Sequence, residues 1–152
     1  LNDSMTGFYN RNAYDYFIYN EKNIKNYMVV TFDLNNLKMC NDNYGHSSGD
    51  AYIIHSAHII ETTFDRFGKC YRIGGDEFCC LIPDAAEFQI ERFIQKMQQD
   101  IAILNNKNII PTEVGIACGY ALATPDDADI EKVRERADEM MYHNKKVLKG
   151  LI

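Results

Sequence analysis

The chain has 152 residues, 46% of them hydrophobic and 25% charged, with a net charge of −6 at pH 7. That is the size of one ordinary domain, and the composition excludes a disordered, collagen-like or linker-like chain. The acidic balance argues against nucleic acid as a partner, since duplex binding calls for a basic face, and a polyphosphate ligand would need metal ions or a local basic cluster.

The chain opens in a polar run, Leu1-Asn2-Asp3-Ser4, and is expected to continue a longer protein. Arg11 to Tyr19 then reads as a helix with Ala13, Phe17 and Ile18 on one face. Met28 to Leu34 (MVVTFDL) is short, β-branched and apolar, the pattern of a buried strand ending at the polar pair Asn35-Asn36. Ser47 is expected to open a long helix whose core face carries Ile53, Ile54, Ala57, Ile60 and Phe64.

Lys69 to Ile73 and Glu77 to Ile82 flank Gly74-Gly75, the signal of a β-hairpin. A two-residue Gly-Gly turn would set Cys70 opposite Cys79, and a wider turn would change the pairing. Pro83-Asp84 is expected to end the second strand and start a helix with Asp84 as N-cap. Its core face is Ile90, Phe93, Ile94, Met97, Ile101 and Leu104. Val114 to Thr124 reads as another strand. Pro125-Asp126-Asp127 introduces a last helix with Ile130, Val133, Ala137, Met140 and Met141 inside. The strand-helix-strand-strand-helix-strand order predicts an α+β fold: a mixed or antiparallel sheet covered by helices, in the split βαβ arrangement of ferredoxin-like domains.

The five cysteines are scattered, without a CxxC pair, and indicate neither a disulfide framework nor a zinc site. No apolar stretch approaches the roughly 20 residues of a membrane helix, and no signal peptide is visible. The expected location is cytoplasmic, with the parent protein free to be membrane-tethered.

Several residue groups carry possible chemistry. Asp33, at the end of the buried strand, is either a loop cap or a metal ligand. Gly74-Gly75-Asp76-Glu77 is either a solvated hairpin tip or, with Asp33, a pair of carboxylates of the kind that hold Mg²⁺ beside substrate phosphates. Asn41 and Asp50 offer an amide and a carboxylate able to read a guanine edge, although Ser47 and Asp50 also form an S-x-x-D capping pair. Lys145 and Lys149, one turn apart, and Lys38 are either solvated cations or a triphosphate clamp.

Taken together these residues resemble the GGDEF domain of diguanylate cyclases. Asp3-Ser4-Met5-Thr6-Gly7-Phe8-Tyr9-Asn10-Arg11 is similar to the family's opening D-x-L-T-G-L-x-N-R, with Met5 in the leucine position. Asp33-Leu34-Asn35-Asn36-Leu37-Lys38, Asn41-Asp42 and Gly45-His46-Ser47-Ser48-Gly49-Asp50 resemble the second block. Arg72-Ile73-Gly74-Gly75-Asp76-Glu77-Phe78 carries the name-giving signature intact. Ala137-Asp138-Glu139-Met140-Met141-Tyr142 with Lys145 resembles the closing A-D-x-A-L-Y-x-A-K.

The resemblance implies a single palm-like domain over residues 1–152, the C-terminal output part of a signalling protein whose sensory or dimerisation domain lies upstream. It implies condensation of two GTP into cyclic di-GMP and two pyrophosphates, in a transient homodimer that brings two loaded sites face to face. By position, Asp33, the Leu34 carbonyl and Asp76 would hold two Mg²⁺, with Mn²⁺ able to substitute. Asp33, Asp76 and Glu77 would be the catalytic acids, and Asn41 and Asp50 would read guanine. Asn36, Leu37, Lys38, Lys145 and Lys149 would contact phosphates, while Gly74 and Gly75 let the nucleotide lie against the hairpin.

Two positions depart from the family pattern. Lys149 stands where an arginine is common, so a point charge replaces a bidentate fork. The product-inhibition pair R-x-x-D would fall on Asp65 and Gly68. The competing reading is a non-catalytic nucleotide-binding module, although the signature acids are all present. Asp3 and Arg72 are expected to pair and to tie the N-terminal segment to the hairpin.

Overall fold

The apolar run Met28–Leu34 forms β1, buried at every position and flanked by strands on both sides. The computed structural model describes residues 1–150. Its strands are β1, β2 (Lys69–Arg72), β3 (Glu77–Ile82) and β4 (Ile116–Leu122). They form one sheet in the order β2-β3-β1-β4, and every neighbouring pair is antiparallel. This is the expected α+β architecture, resolved to the antiparallel alternative.

Strand residues alternate between faces, so β1 feeds two cores. Val30, Phe32 and Leu34 pack with Tyr52, Ile60 and Phe64 of α3 (His46–Phe64) and Met97 and Ile101 of α4 (Ile90–Asn106). On the other face, Val29 packs with Tyr14 of α1 (Arg11–Asn20) and with Ile130, Val133 and Ala137 of α5 (Ile130–Leu148). Asp33 has the parity of Val29 and therefore turns toward α5.

Both outer strand edges are covered, which blocks further strand pairing. On β2, the Tyr9 N–H donates to the Cys70 carbonyl at 3.2 Å, and the Tyr9 carbonyl accepts from Arg72 N–H at 2.8 Å. On β4, side chains of α5 do the same work. Arg136 donates to the Leu122 carbonyl at 2.8 Å, Asn144 donates to the Cys118 carbonyl at 2.7 Å, and Met140 Sδ accepts from Tyr120 N–H at 3.4 Å. Helix and strand approach this closely because position 119 is glycine: a Cβ there would lie 2.2 Å from the Ala137 carbonyl oxygen.

The structure corrects four local expectations. First, the polar stretch after β1 contains a helix, α2 (Leu37–Tyr44), with Leu37 and Cys40 buried. Second, α3 starts at His46 behind Gly45, without a side-chain cap, so Ser47 and Asp50 form no capping pair. Ile54 on that helix faces solvent. Third, Asp84 does not cap a helix. Its φ is +51°, the Ala85 N–H is taken by the Asn26 carbonyl, and α4 begins only at Ile90. Phe93 and Ile94 are only partly buried. Fourth, Cys70 faces Cys80, not Cys79. Ile73 and Gly74 both donate to the Glu77 carbonyl, giving a turn wider than Gly-Gly alone and shifting the register by one residue. Cys70 and Cys80 therefore share the α3/α4 core, and Cys79 lies in the α5 core. The last helix is capped by Asp129, which accepts from Lys132 N–H, slightly later than the Pro125 signal suggests.

Candidate active site

The antiparallel pairing of β1 with β3 places Asp33 directly opposite Glu77. One step on, the Leu34 N–H donates to the Asp76 carbonyl at 3.0 Å. Residues 42 and 44 positions apart in sequence are thereby joined at one end of the sheet. The turn after β1 is held from below by Tyr52. Its hydroxyl donates to the Asn35 carbonyl at 2.6 Å and accepts from Gly115 N–H at 3.0 Å. Asn36 then takes a left-handed φ of 60° and starts α2 with no side-chain cap. The free N–H groups of this helix start are suited to an anion.

Asp33 is the unusual group. Its side chain is 8% exposed, and its Oδ2 accepts from Lys145 Nζ at 2.7 Å. Its Oδ1 is buried without a hydrogen-bond partner. Burial pushes its pKa up to about 6; Lys145 opposes that shift and the neighbouring Asp76 carboxylate adds to it. A buried, half-satisfied carboxylate is costly unless something else completes it.

A cleft of about 450 Å³ opens beside this pair. Leu34 and Asp76 form one wall, Lys145 and Lys149 another, and Asn36, Leu37 and Lys38 the start of α2. Met39, Asp42 and Asn43 complete it, and sequence reasoning had not assigned them roles. No signal in the sequence marked them, because α2 itself was not legible there. Lys38 is almost fully exposed and pairs with Asp42 at 3.1 Å.

Asn41, Asp50, Gly74, Gly75 and Glu77 lie outside this cleft. Asn41 crosses over α3 at Gly49, where an added Cβ would fall 1.6 Å from its Oδ1. That contact sets Asn41 beside the helix turn that carries Asp50. Gly75 has open space around it, and Gly74 lies against Glu77.

Arg72 links the hairpin to the N-terminal segment, as expected. Its Nη1 donates to Asp3 at 3.2 and 3.3 Å, and its Nη2 donates to the Gly75 carbonyl at 2.9 Å. Asp3 also accepts from the N–H and hydroxyl of Thr6.

The donor set suits a hard divalent cation: two carboxylates, one with an orphaned oxygen, beside the Leu34 backbone. Among the described residues, no three His, Cys, Asp or Glu side chains gather closely enough to hold an ion by themselves. A metal here would draw its other ligands from water or substrate.

The family model for the diguanylate cyclase GGDEF domain matches residues 1–149. The chain belongs to the GGDEF domain family. It is 30% identical over 151 residues to diguanylate cyclase DgcN of Escherichia coli K12, a match covering 95% of this chain and 37% of that protein. It is 27% identical over 152 residues to diguanylate cyclase DgcS of Shewanella oneidensis, covering 94% of this chain and 49% of that protein. The GGDEF chain thus spans less than half the length of these relatives. Among solved structures, it resembles the GGDEF domain of DgcB from Caulobacter crescentus in complex with c-di-GMP. The TM-score is 0.81 and the identity 23%, covering 95% of this chain and 90% of that one. It also resembles diguanylate cyclase SiaD from Pseudomonas aeruginosa, solved with its activator SiaC, at TM-score 0.79 and 22% identity, covering 96% and 58%. These likenesses establish the palm-like GGDEF fold. Among the described residues, no helix is long and apolar enough to cross a membrane.

Proposed function

We propose that this GGDEF domain is a diguanylate cyclase, joining two GTP into cyclic di-GMP with release of two pyrophosphates. The observation that carries the reading is the junction of Asp33 and Asp76 at the β1–β3 end, beside a lysine-walled cleft. In each half-reaction the 3′-oxygen of one GTP forms a bond to the α-phosphorus of the other. The α–β phosphoanhydride bond breaks, and its electron pair leaves with pyrophosphate. Asp33, the Leu34 carbonyl and Asp76 would hold two Mg²⁺, or Mn²⁺ in their place. Those ions supply activation of the attacking oxygen and neutralisation of the leaving group.

The remaining chemistry belongs to the chain. Glu77, which pairs with Asp33 across the strands, would either accept the proton of the 3′-hydroxyl or support the metal centre. Lys38, Lys145, Lys149 and the N–H groups at Asn36 and Leu37 bind the phosphates and spread charge over the transferring group. Asn41 and Asp50 read guanine. Asp50 accepts from the N1–H and N2–H₂ edge, which adenine lacks, and it is free to do so because it caps no helix. Arg72 steadies the Gly74-Gly75 loop against which the nucleotide lies.

One domain offers one GTP site, so synthesis requires a second copy facing it. An upstream dimerising segment of the parent protein would raise the effective concentration of such pairs. Product inhibition through R-x-x-D is not expected. Besides lacking the acid, Gly68 is pressed against β3, and a Cβ there would meet the Leu81 carbonyl oxygen at 2.2 Å.

The test is to incubate the chain with GTP and Mg²⁺ and to assay pyrophosphate and cyclic dinucleotide over a range of enzyme concentrations. The expected rate rises more steeply than linearly, and a coiled coil fused before Leu1 raises it further. GTP binding without pyrophosphate at every concentration would identify a regulatory module instead.

A further inference from the structure

The fold gives Asp33 a cation of its own, and that cation stands in the way of any other. Lys145 Nζ lies 2.7 Å from Asp33 Oδ2, in a pair whose side chains are 21% and 8% exposed. Asp33 has no second hydrogen-bond partner, since its Oδ1 is buried and unpaired. A divalent ion bound at Asp33 would compete with the ammonium for the same carboxylate. Separating the pair costs more than separating exposed ions, because water reaches it poorly.

Lys145 also lines the phosphate cleft, so one side chain faces both the carboxylate and the incoming triphosphate. The helix that carries it cannot withdraw. Asn144, its neighbour, donates to the Cys118 carbonyl at 2.7 Å, and Arg136 holds the Leu122 carbonyl at 2.8 Å. Only the flexible four-carbon stem of Lys145 can move. The other cations of the cleft are poor substitutes for it at Asp33: Lys38 is paired with Asp42, and Lys149 lies a turn beyond. The protein side chains alone are too few to fill an ion's coordination sphere, so its other ligands are water or, once nucleotide is bound, phosphate oxygens.

We propose that Lys145 is the resident counter-ion of Asp33 in the nucleotide-free chain, and that a bound triphosphate draws it off and frees the carboxylate for metal. Metal and nucleotide then load together, and the empty enzyme resists metal. This rests on the reading of Asp33 as a metal ligand.

The experiment measures equilibrium Mn²⁺ binding to the nucleotide-free chain by electron paramagnetic resonance, with no turnover involved. Lys145→Met should bind Mn²⁺ about tenfold more tightly than wild type, within the usual range of coupled sites. Lys145→Arg, which keeps the charge, should stay close to wild type. The Mn²⁺-induced rise in melting temperature should be larger for Lys145→Met, a second readout that also reports folding. Unchanged or weaker Mn²⁺ binding by folded Lys145→Met would overturn the inference and leave the assignment of Asp33 standing. The double variant Asp33→Asn/Lys145→Met should lose the gain. If it kept the gain, the metal would not be at Asp33, and both the inference and the underlying reading would fall.

Discussion

Replacing Asp33 with Asn should inactivate the domain and, without metal, stabilise it. The folded pKa of Asp33 is raised from 3.8 to about 6, chiefly by burial. A raised carboxylate pKa means that the fold disfavours the charged form. The penalty is absent below the unfolded value near 4 and complete above about pH 6, so stability falls as pH rises through that window. A shift of about two units at ~1.4 kcal/mol each sets a ceiling of about 3 kcal/mol. Asn escapes this penalty but removes the counter-ion of Lys145, which remains 21% exposed and can turn toward water. That loss is already included in the value of about 6, and allowing for solvent screening leaves a net gain of about 1–2 kcal/mol at pH 8. For a domain of this size the melting point would rise by about 2–8 °C. Urea unfolding with a chelator present, at about pH 8 and about pH 4, measures it. The gain should vanish at the lower pH, while turnover with GTP and Mg²⁺ falls at least about a hundredfold. A variant less stable than wild type at pH 8, or a gain independent of pH, would refute the reasoning.

Three further predictions follow from close contacts. Gly49→Ala would put a Cβ 1.6 Å from Asn41 Oδ1 and displace the amide, raising KM for GTP about tenfold and narrowing the preference over ATP. A double-mutant cycle on Asp3 and Arg72 should give a coupling of about 1–2 kcal/mol at neutral pH. Folding lowers the Asp3 pKa against the opposing effect of its burial, through Thr6 hydrogen bonds and Arg72. The coupling should therefore hold above pH 4 and disappear as pH falls through the folded value, as acid titration of the four proteins would show. Gly119→Ala would drive a Cβ to 2.2 Å from the backbone of α5 and should cost roughly 1–3 kcal/mol in urea unfolding, with turnover falling because Lys145 shifts with its helix.

The strongly patterned elements were legible from local sequence. Met28–Leu34 is the strand that its apolar run indicates, with the same ends, and α5 carries its expected inner face, while on α1 the buried residue is Tyr14 and the expected Ala13, Phe17 and Ile18 are only partly buried. Backbone geometry that depends on neighbours was not legible. α2 has only Leu37 and Cys40 buried, too short an apolar pattern to separate from a loop. Asp84 looks like a cap in sequence, but the Asn26 carbonyl captures the next N–H and holds the chain in a turn. The cysteine register hung on one residue of turn width, and only the bonds to the Glu77 carbonyl decide it.

For the site, the sequence by itself determined the inventory: signature acids, an amide and a carboxylate able to read a guanine edge, and lysines near the end. Those residue types and spacings are covalent facts, and they sufficed to point to the family and to most candidate residues. What only the tertiary structure decided is which of them meet. Lys145 and Asp33 are 112 residues apart and touch because strand parity turns Asp33 toward α5, while the edge bonds of β4 set how far that helix reaches. Asp3 and Arg72 are 69 apart and meet because the N-terminal segment covers the edge of β2. Asp33 on paper is one more acidic residue. Its raised pKa, its orphaned oxygen and its lysine arise from burial, and burial is a property of the packed sheet and helix together.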